Sequence, residues 1–310
     1  MSDKPKLSTE SYKGVRDFYP EDMAVQNYIF DIWKKVVESF KYQEYSASLL
    51  EPVELYRAKS GEELVNEQMF TFTDRGGREI ALRPEMTPTF ARMVAAQRKS
   101  LKFPLRWFSI PNLFRYEKPQ RGRKREHWQL NCDLVGIAGV EAEIEIISLA
   151  HAIMKAFGSK DDDFQICLND RVLLNEKFSN PDLIKLLDRK DKMSESEFSQ
   201  KWLEVSGKGF DDNIAPNEMI SELLTKLKER GLHNVVFVPT ITRGFDYYTG
   251  MVFEVFDTHP DNRRSLFGGG RYDNLLEIFG VEALPTIGFG MGDITIRDFL
   301  ETHKLPLCTS

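Results

Sequence analysis

Arginines and other polar side chains crowd one stretch of the chain in a pattern suited to a phosphorylated ligand. The stretch, residues 114–129, holds Arg115 and Glu117 and then a basic run, residues 118–125, that includes Arg123. Arg115 and Glu117 are two residues apart, so we expect both to lie on one face of a strand. A guanidinium group offers a fork of donors that matches phosphate oxygens. The stretch therefore indicates a polyphosphate site, although a basic run taken alone is more typical of a solvated loop.

A second stretch, residues 242–250, combines Arg243, a following glycine and the neighbouring tyrosines Tyr247 and Tyr248. A glycine after an arginine lets the backbone approach a ligand closely. The tyrosines would add hydroxyl and ring contacts. Taken alone, the stretch fits equally well an Arg–Asp pair with two core aromatic residues in a turn.

Polar residues also lie at alternate positions where a strand is expected. Gln129, Asn131 and Asp133 share one face of that strand, because side chains alternate across a sheet. Glu85 and Thr87 follow another predicted strand, where a carboxylate can accept hydrogen bonds from an ammonium group. The alternatives are that the polar face is solvated and that Thr87 caps the next helix.

Two glycine series come late in the chain, Gly268–Gly270 and the alternating Gly288, Gly290 and Gly292. Three consecutive glycines are expected where side chains would collide with a neighbour. The second series lacks the GxGxxG spacing of a dinucleotide site. The sequence has no Walker A, GxSxG or HExxH pattern. None of the five histidines has metal-ligand spacing, and we expect His127 to be packed or hydrogen-bonded.

The composition is that of a globular protein. The 310 residues are 41% hydrophobic and 29% charged, with a net charge of −6. A DNA-coating protein would carry excess Lys and Arg, so we expect no DNA partner. No apolar run is long enough to span a membrane, and residues 1–8 lack a signal-peptide core. Three separated cysteines without a CxxC pair fit a reducing compartment, and we expect a cytoplasmic protein.

Hydrophobic periodicity predicts an α+β fold. The predicted helices cover residues 21–40, 88–97, 141–157 and 293–302, and the predicted strands cover 69–73, 79–82, 106–110, 127–135, 164–168, 234–238 and 251–256. This order is not the regular βαβ alternation of a parallel sheet. We therefore expect a mainly antiparallel sheet flanked by helices, with residues 171–232 as a helical insertion.

In this order, the stretches resemble the class II histidyl-tRNA synthetase family. The resemblance covers residues 12–303 and implies that family's antiparallel sheet. Its parts are an N-terminal signature (12–20), the motif 1 dimerisation element (21–52), motif 2 (114–129), the histidine-specific RGxDYY signature (243–248) and its companion (269–273).

The resemblance implies an enzyme that activates histidine with ATP and Mg²⁺ and then transfers it to tRNA(His), working as a homodimer. It assigns catalytic roles to Arg115 and Arg243. Magnesium is expected to arrive with ATP and not in a protein cage. The ATP-binding residues would be Arg115, Glu117, Arg123 and Thr295. The histidine-binding residues would be Glu85, Thr87, Arg115, Gln129, Asp133, Arg243, Tyr247 and Tyr248.

Two features depart from the family pattern. Thr295 stands where motif 3 usually has an arginine that stacks on adenine. Arg297 lies two residues later, about 200° around a helix, so it cannot simply substitute. The family also continues with an anticodon-binding domain where this chain ends. We therefore expect a truncated chain, with a catalytic core at 1–170 and 233–304, the insertion at 171–232 and a linker remnant at 305–310, that recognises tRNA poorly.

The main alternative is the synthetase-like regulatory subunit of ATP phosphoribosyltransferase, which would bind histidine without aminoacylation. The full set of Arg115, Arg123, Gln129 and Arg243 favours the synthetase, together with the intact loop that would handle phosphate. A pseudo-enzyme domain that senses uncharged tRNA is disfavoured for the same reason.

Overall fold

The computed structural model describes residues 7–58, 60, 64–178, 180–190, 193–211, 213–243, 247–262 and 264–308. The helices among them are α1 (Pro20–Ser39), α2 (Val53–Arg57), α3 (Thr87–Gln97), α4 (Glu141–Ala156), α5 (Arg171–Lys177), α6 (Pro181–Asp188), α7 (Glu195–Ser206), α8 (Glu218–Glu229) and α9 (Asp293–Thr302). The strands are β1 (Gln43–Glu44), β2 (Leu50–Pro52), β3 (Phe70–Thr73), β4 (Glu79–Leu82), β5 (Leu105–Ser109), β6 (Asn112–Phe114), β7 (Glu126–Val135), β8 (Phe164–Asp170), β9 (Val235–Phe237), β10 (Met251–Asp257), β11 (Ser265–Arg271) and β12 (Thr286–Gly292).

The main sheet has the strand order β1-β5-β7-β12-β11-β10-β8-β9, and β6 pairs with β7 beside that path. Its central pairs, from β5 to β8, are antiparallel, whereas β1 runs parallel to β5 and β9 parallel to β8. A smaller antiparallel sheet has the order β2-β4-β3. The predicted α+β fold with a mainly antiparallel sheet is confirmed.

A helical layer formed by α1, α4, α8 and α9 buries one face of the main sheet. Helix α1 begins at Pro20, with acidic residues in its first turn, and both features favour a helix N-terminus. Ile29, Trp33 and Val37 follow at four-residue steps and are fully buried. This spacing places them on one side of the helix, which packs into the core.

Strand β7 separates this core from a polar surface. Leu130, Cys132 and Leu134 face the helical layer and are buried in the core. Because side chains alternate along a strand, Gln129, Asn131 and Asp133 point to the opposite face. The predicted polar face therefore exists, and its position on a central strand of the sheet keeps two of the three residues buried: Asn131 and Asp133 are each 4% exposed.

The region predicted as a helical insertion divides its packing between two cores. Helices α5, α6 and α7 share a separate cluster that includes Leu174, Leu187 and Trp202. Helix α8 instead contributes Ile220 and Leu223 to the main core. The domain boundaries at 171 and 232 remain predictions. Among the described residues, no helix is both long and apolar enough to cross a membrane.

The triple glycine lies inside β11, where neighbouring strands leave no room for a side chain. A Cβ atom at Gly269 would collide with the carbonyl oxygen of Gly288 and with Phe289. The atoms that would clash belong to the paired strand β12 and include backbone atoms, so they cannot move away by a change of side-chain conformation. The expectation that these glycines avoid a collision is confirmed at this position.

We predict that Gly269→Ala lowers the free energy of unfolding by about 1–3 kcal/mol or more, as overpacking of a closely packed interior does. Urea denaturation would measure the change. Gly209→Ala is the matched control, because a Cβ atom there would meet nothing within 4 Å. Equal stability of the two variants would show that β11 and β12 are not held at this spacing.

Candidate active site

Two cavities meet on the polar face of the main sheet. The larger has a volume of about 660 Å³ and the smaller about 100 Å³. Four residues line both: Arg115, Gln129, Arg243 and Gly290. Ligands bound in the two cavities would therefore face each other across a wall that carries two guanidinium groups.

The structure brings the predicted site residues together in two groups. The residues predicted to bind histidine all line the smaller cavity: Glu85, Thr87, Arg115, Gln129, Asp133, Arg243, Tyr247 and Tyr248. The residues predicted to bind ATP all line the larger cavity: Arg115, Glu117, Arg123 and Thr295. Residues from distant parts of the chain thus converge as the sequence predicted, and their roles remain proposals.

Arg115 is held in place by backbone carbonyl groups and not by a strand. The strand β6 ends at Phe114, so the prediction that Arg115 and Glu117 share one strand face is wrong. The Arg115 Nε atom instead donates to the carbonyl oxygen of Pro84 at 2.8 Å, and its amide donates to Arg125 at 2.9 Å. These bonds fix the guanidinium at the shared wall.

The basic run separates into residues that face the cavity and residues that anchor the loop. Arg121 forms an ion pair with Asp298 at 2.8 Å, on α9. The Arg125 guanidinium lies 3.7 Å from the centre of the Tyr116 ring, which is a cation–π contact. Arg123 instead lines the larger cavity, together with Lys124. The run is therefore neither a wholly solvated loop nor a uniform phosphate surface.

Arg243 is fixed by a carboxylate. Its Nη1 atom donates to Glu254 Oε1 at 2.8 Å. Burial alone would lower the pKa of Arg243, but Tyr248 and Glu254 together raise it above its usual value. The guanidinium is therefore charged throughout the accessible pH range. Residues 244–246 of the predicted signature lie outside the described residues.

Glycines on β12 keep the floor of the two cavities open. In the register of the sheet, Gly288 lies opposite Asp133 and Gly290 opposite Asn131. A Cβ atom at Gly290 would collide with the side-chain amide of Gln129, and one at Gly288 would collide with the Asp133 carboxylate. The alternating glycines thus make room for the polar side chains of β7, which explains their spacing without a dinucleotide.

Asp133 lines the smaller cavity and accepts a hydrogen bond from the hydroxyl of Tyr272. Burial raises the pKa of Asp133 to about 7, and the Tyr272 donor opposes part of that rise. Tyr272 and Asn131 line the cavity but were not among the predicted ligand-binding residues. The sequence feature that could have identified Tyr272 is its position directly after the strand that contains the triple glycine.

Glu85 is a second buried carboxylate in the smaller cavity. It accepts hydrogen bonds from the hydroxyl groups of Ser60 and Tyr247. Burial raises the pKa of Glu85, although Ser60 and Arg115 offset part of the effect. Helix α3 has Met86 at its N-cap, so Thr87 does not cap it and lies instead on the cavity wall.

His127 lines the larger cavity as a neutral imidazole. Burial, together with the positive charges of Arg115 and Arg16, lowers its pKa to about 3. Among the described residues, no group of three or more His, Cys, Asp or Glu side chains could hold a metal ion.

The residue at the motif 3 position is turned toward the backbone. The Thr295 hydroxyl donates to the carbonyl oxygen of Leu266 at 2.7 Å. Arg297 forms ion pairs with Glu301 and Asp22 and does not line either cavity. The prediction that Arg297 cannot replace the missing arginine agrees with this geometry.

Comparison with known proteins agrees with the geometry. A family model described as histidyl-tRNA synthetase matches residues 14–194 and 180–293. The histidine–tRNA ligase of Leptospira biflexa serovar Patoc is 46% identical over 97% of this chain and 76% of that protein. The histidine–tRNA ligase of Thermoplasma volcanium is 38% identical over 96% of this chain and 76% of that protein.

Solved structures share the fold. A protein from Bacillus halodurans C, described as an ATP phosphoribosyltransferase regulatory subunit/histidyl-tRNA synthetase, has a TM-score of 0.77 at 25% identity, covering 96% of this chain and 84% of that one. The histidyl-tRNA synthetase of Nostoc sp. PCC 7120 has a TM-score of 0.80 at 19% identity, covering 97% of this chain and 78% of that one, which supports the fold alone. From the family-model match and the identity to the curated ligases, the chain belongs to the histidyl-tRNA synthetase family.

Proposed function

We propose that this protein activates L-histidine with ATP and transfers it to the 3′ end of tRNA(His). The observation that carries the proposal is the wall shared by the two cavities, with Arg115 and Arg243 in it. In the first step a histidine carboxylate oxygen forms a bond to the α-phosphorus of ATP. The bond from that phosphorus to the bridging oxygen breaks, and pyrophosphate leaves with the electron pair.

The two shared arginines suit this step because negative charge shifts from the histidine carboxylate toward the phosphates during the reaction. They neutralise the negative charge that the carboxylate and the phosphate bring together. Such a transfer depends on positioning and charge more than on a covalent enzyme intermediate. In the second step a terminal ribose hydroxyl of tRNA attacks the carbonyl carbon of histidyl-adenylate, and AMP and the hydroxyl proton are released.

The smaller cavity is proposed to select histidine. Glu85, Thr87 and Gln129 would hold the amino group, with Tyr247 beside Glu85. Asp133 and Tyr248 would contact the two imidazole nitrogens. A buried polar pocket rejects apolar amino acids strongly, because its hydrogen-bonding groups would be left without partners.

The larger cavity is proposed to hold ATP as its magnesium complex. Glu117 and Arg123 are joined by an ion pair of 3.5 Å at its edge and would hold the bent triphosphate. Thr295 would lie near the adenine. The metal ion would enter as part of the substrate, bound to the phosphates.

A homodimer and a cytoplasmic location complete the proposal. The region of α1 and β2 resembles the dimerisation element of class II synthetases. All three cysteines are unpaired, with Cys132 and Cys167 buried and Cys308 exposed, and this is consistent with a reducing compartment.

A second candidate function is that of a histidine-binding regulatory subunit of ATP phosphoribosyltransferase. It is favoured by the structural likeness to the Bacillus halodurans C protein, whose description includes that role. The phosphate-binding side chains distinguish the candidates, since a subunit that only senses histidine does not need Arg123 and Arg243 around a second cavity.

We predict that histidine, alone among the twenty amino acids, drives exchange of labelled pyrophosphate into ATP. The matched variant Arg243→Met should lower the exchange rate at least about 100-fold, the scale seen when one donor to a developing charge is removed. Circular dichroism and thermal unfolding would check that the variant is folded. Wild-type protein that binds histidine but supports no exchange would favour the regulatory subunit instead.

A further prediction concerns the pH dependence of histidine binding. The Asp133 carboxyl, with its pKa of about 7, takes up a proton as the pH falls through 7. Only the ionised form is an acceptor on both oxygens for an imidazole N–H. The dissociation constant for histidine should therefore rise about tenfold between pH 8 and pH 6, as measured by calorimetry.

Two variants serve as controls for that profile. Asp133→Asn should bind more weakly and vary with pH only through the titration of free histidine itself. Tyr272→Phe removes a donor that lowers the Asp133 pKa, so it should move the rise to higher pH. A wild-type profile parallel to that of Asp133→Asn would rule out Asp133 as the imidazole partner.

A further inference from the structure

Helix α6 forms a wall of the larger cavity that the family resemblance did not assign. Ile184, Lys185, Leu187 and Asp188 of this helix line the cavity, followed by Arg189 at its end. The apolar members also belong to the separate core of α5, α6 and α7. The helix is therefore held from behind by its own cluster and presents polar side chains to the cavity.

A hydrogen bond ties α6 to the catalytic segment. The Thr242 hydroxyl donates to Asp188 Oδ1 at 3.2 Å, and Thr242 directly precedes Arg243. Thr242 is 7% exposed, so the contact is largely shielded from water. The end of α6 is thus positioned relative to the guanidinium at the shared wall.

The larger cavity concentrates positive charge in a protein whose net charge is −6. Its lining cations are Arg115, Arg123, Lys124, Arg171, Lys185, Arg189 and Arg243, and its lining carboxylates are Glu117, Asp188 and Glu254. Glu117 and Glu254 are already paired with arginines of the cavity. The lining therefore has an excess of four positive charges, which matches a polyphosphate.

Lys185 and Arg189 are cations that the protein itself leaves available. Both side chains are exposed, and no carboxylate of the described part of the chain lies within 4 Å of either one. They are four residues apart, so they lie on the same side of α6, roughly 6 Å apart along its axis. They line the larger cavity but not the smaller one, so they are not part of the shared wall.

We propose that Lys185 and Arg189 bind the β- and γ-phosphates of ATP and the departing pyrophosphate. The proposal rests on the proposed function, since it names a further part of the same nucleotide site. Arg115 and Arg243 occupy the wall where the α-phosphate must meet histidine, which leaves the outer phosphates to cations farther along the cavity. Lysine and arginine both bind phosphate strongly.

The test measures the KM values for ATP, pyrophosphate and histidine in exchange assays without tRNA. Lys185→Met and Arg189→Met should each raise the KM for ATP and for pyrophosphate by about threefold to tenfold, and the double variant by more than tenfold. The KM for histidine should stay within about twofold of the wild-type value. Lys185→Arg, which keeps the charge, should retain most of the wild-type affinity.

Lys201→Met is the matched control. Lys201 lies on α7 in the same helical region, forms an ion pair with Glu197 at 2.6 Å, and does not line the cavity. Its removal should leave every KM unchanged. Because Lys185 and Arg189 are exposed, their variants should keep the wild-type unfolding temperature, which differential scanning fluorimetry would check.

Three results would overturn the proposal. One is a double variant with wild-type KM values for ATP and pyrophosphate. Another is unchanged exchange with impaired transfer to tRNA, which would assign the two cations to tRNA phosphates. If the wild-type protein shows no exchange at all, the proposed function fails, and calorimetric titration with pyrophosphate then tests the inference by itself. The third result is an equal affinity of the wild-type protein and the double variant for pyrophosphate in that titration.

Discussion

The site depends on fixing two partly buried guanidinium groups where two cavities meet. A buried charge is costly unless it has partners. The structure provides them from opposite sides: the Pro84 carbonyl for Arg115 and the Glu254 carboxylate for Arg243. Each partner uses only part of the fork of donors on its arginine. Both side chains line both cavities, where an anionic ligand can reach them.

The sheet makes this arrangement possible because, on the face of the site, β7 carries polar side chains where the adjacent strand β12 has glycines. On β7, the polar residues Gln129, Asn131 and Asp133 rise into the site. On β12, glycines lie directly opposite them. A pocket floor built in this way is rigid, because both strands are central in the sheet and rest on the buried helical layer. Rigid support of this kind lowers the reorganisation needed for charge transfer.

Local sequence patterns predicted much of this structure. The helix from residue 21 to 40 and the polar alternation of β7 followed from periodicity, and both are strong signals because their buried faces are continuous. The grouping of Arg115, Arg123 and Arg243 around one cavity followed from the family resemblance. The strand assignment of Arg115 and Glu117 was wrong, because β6 has only three residues and the chain leaves it before Arg115.

Other features could not be read from the sequence, since they depend on tertiary position. Lys185 and Arg189 look like ordinary last-turn cations of a short helix, and only the packing of α6 with α5 and α7, together with its hydrogen bond to Thr242, brings them to the cavity. Arg121 and Arg125 belong to the same basic run as Arg123, yet partners from distant segments hold them outside the site. Charge patterns identify candidates, and contacts between segments decide among them.

The central claim is that one wall of the protein presents histidine to the α-phosphate of ATP. A crystal structure with a non-hydrolysable histidyl-adenylate analogue, in which a sulfamoyl group replaces the phosphate, tests it most directly. We expect the imidazole beside Asp133, the sulfamoyl group between Arg115 and Arg243, and the adenosine in the larger cavity. An analogue bound with its sulfamoyl group away from both arginines would contradict the account.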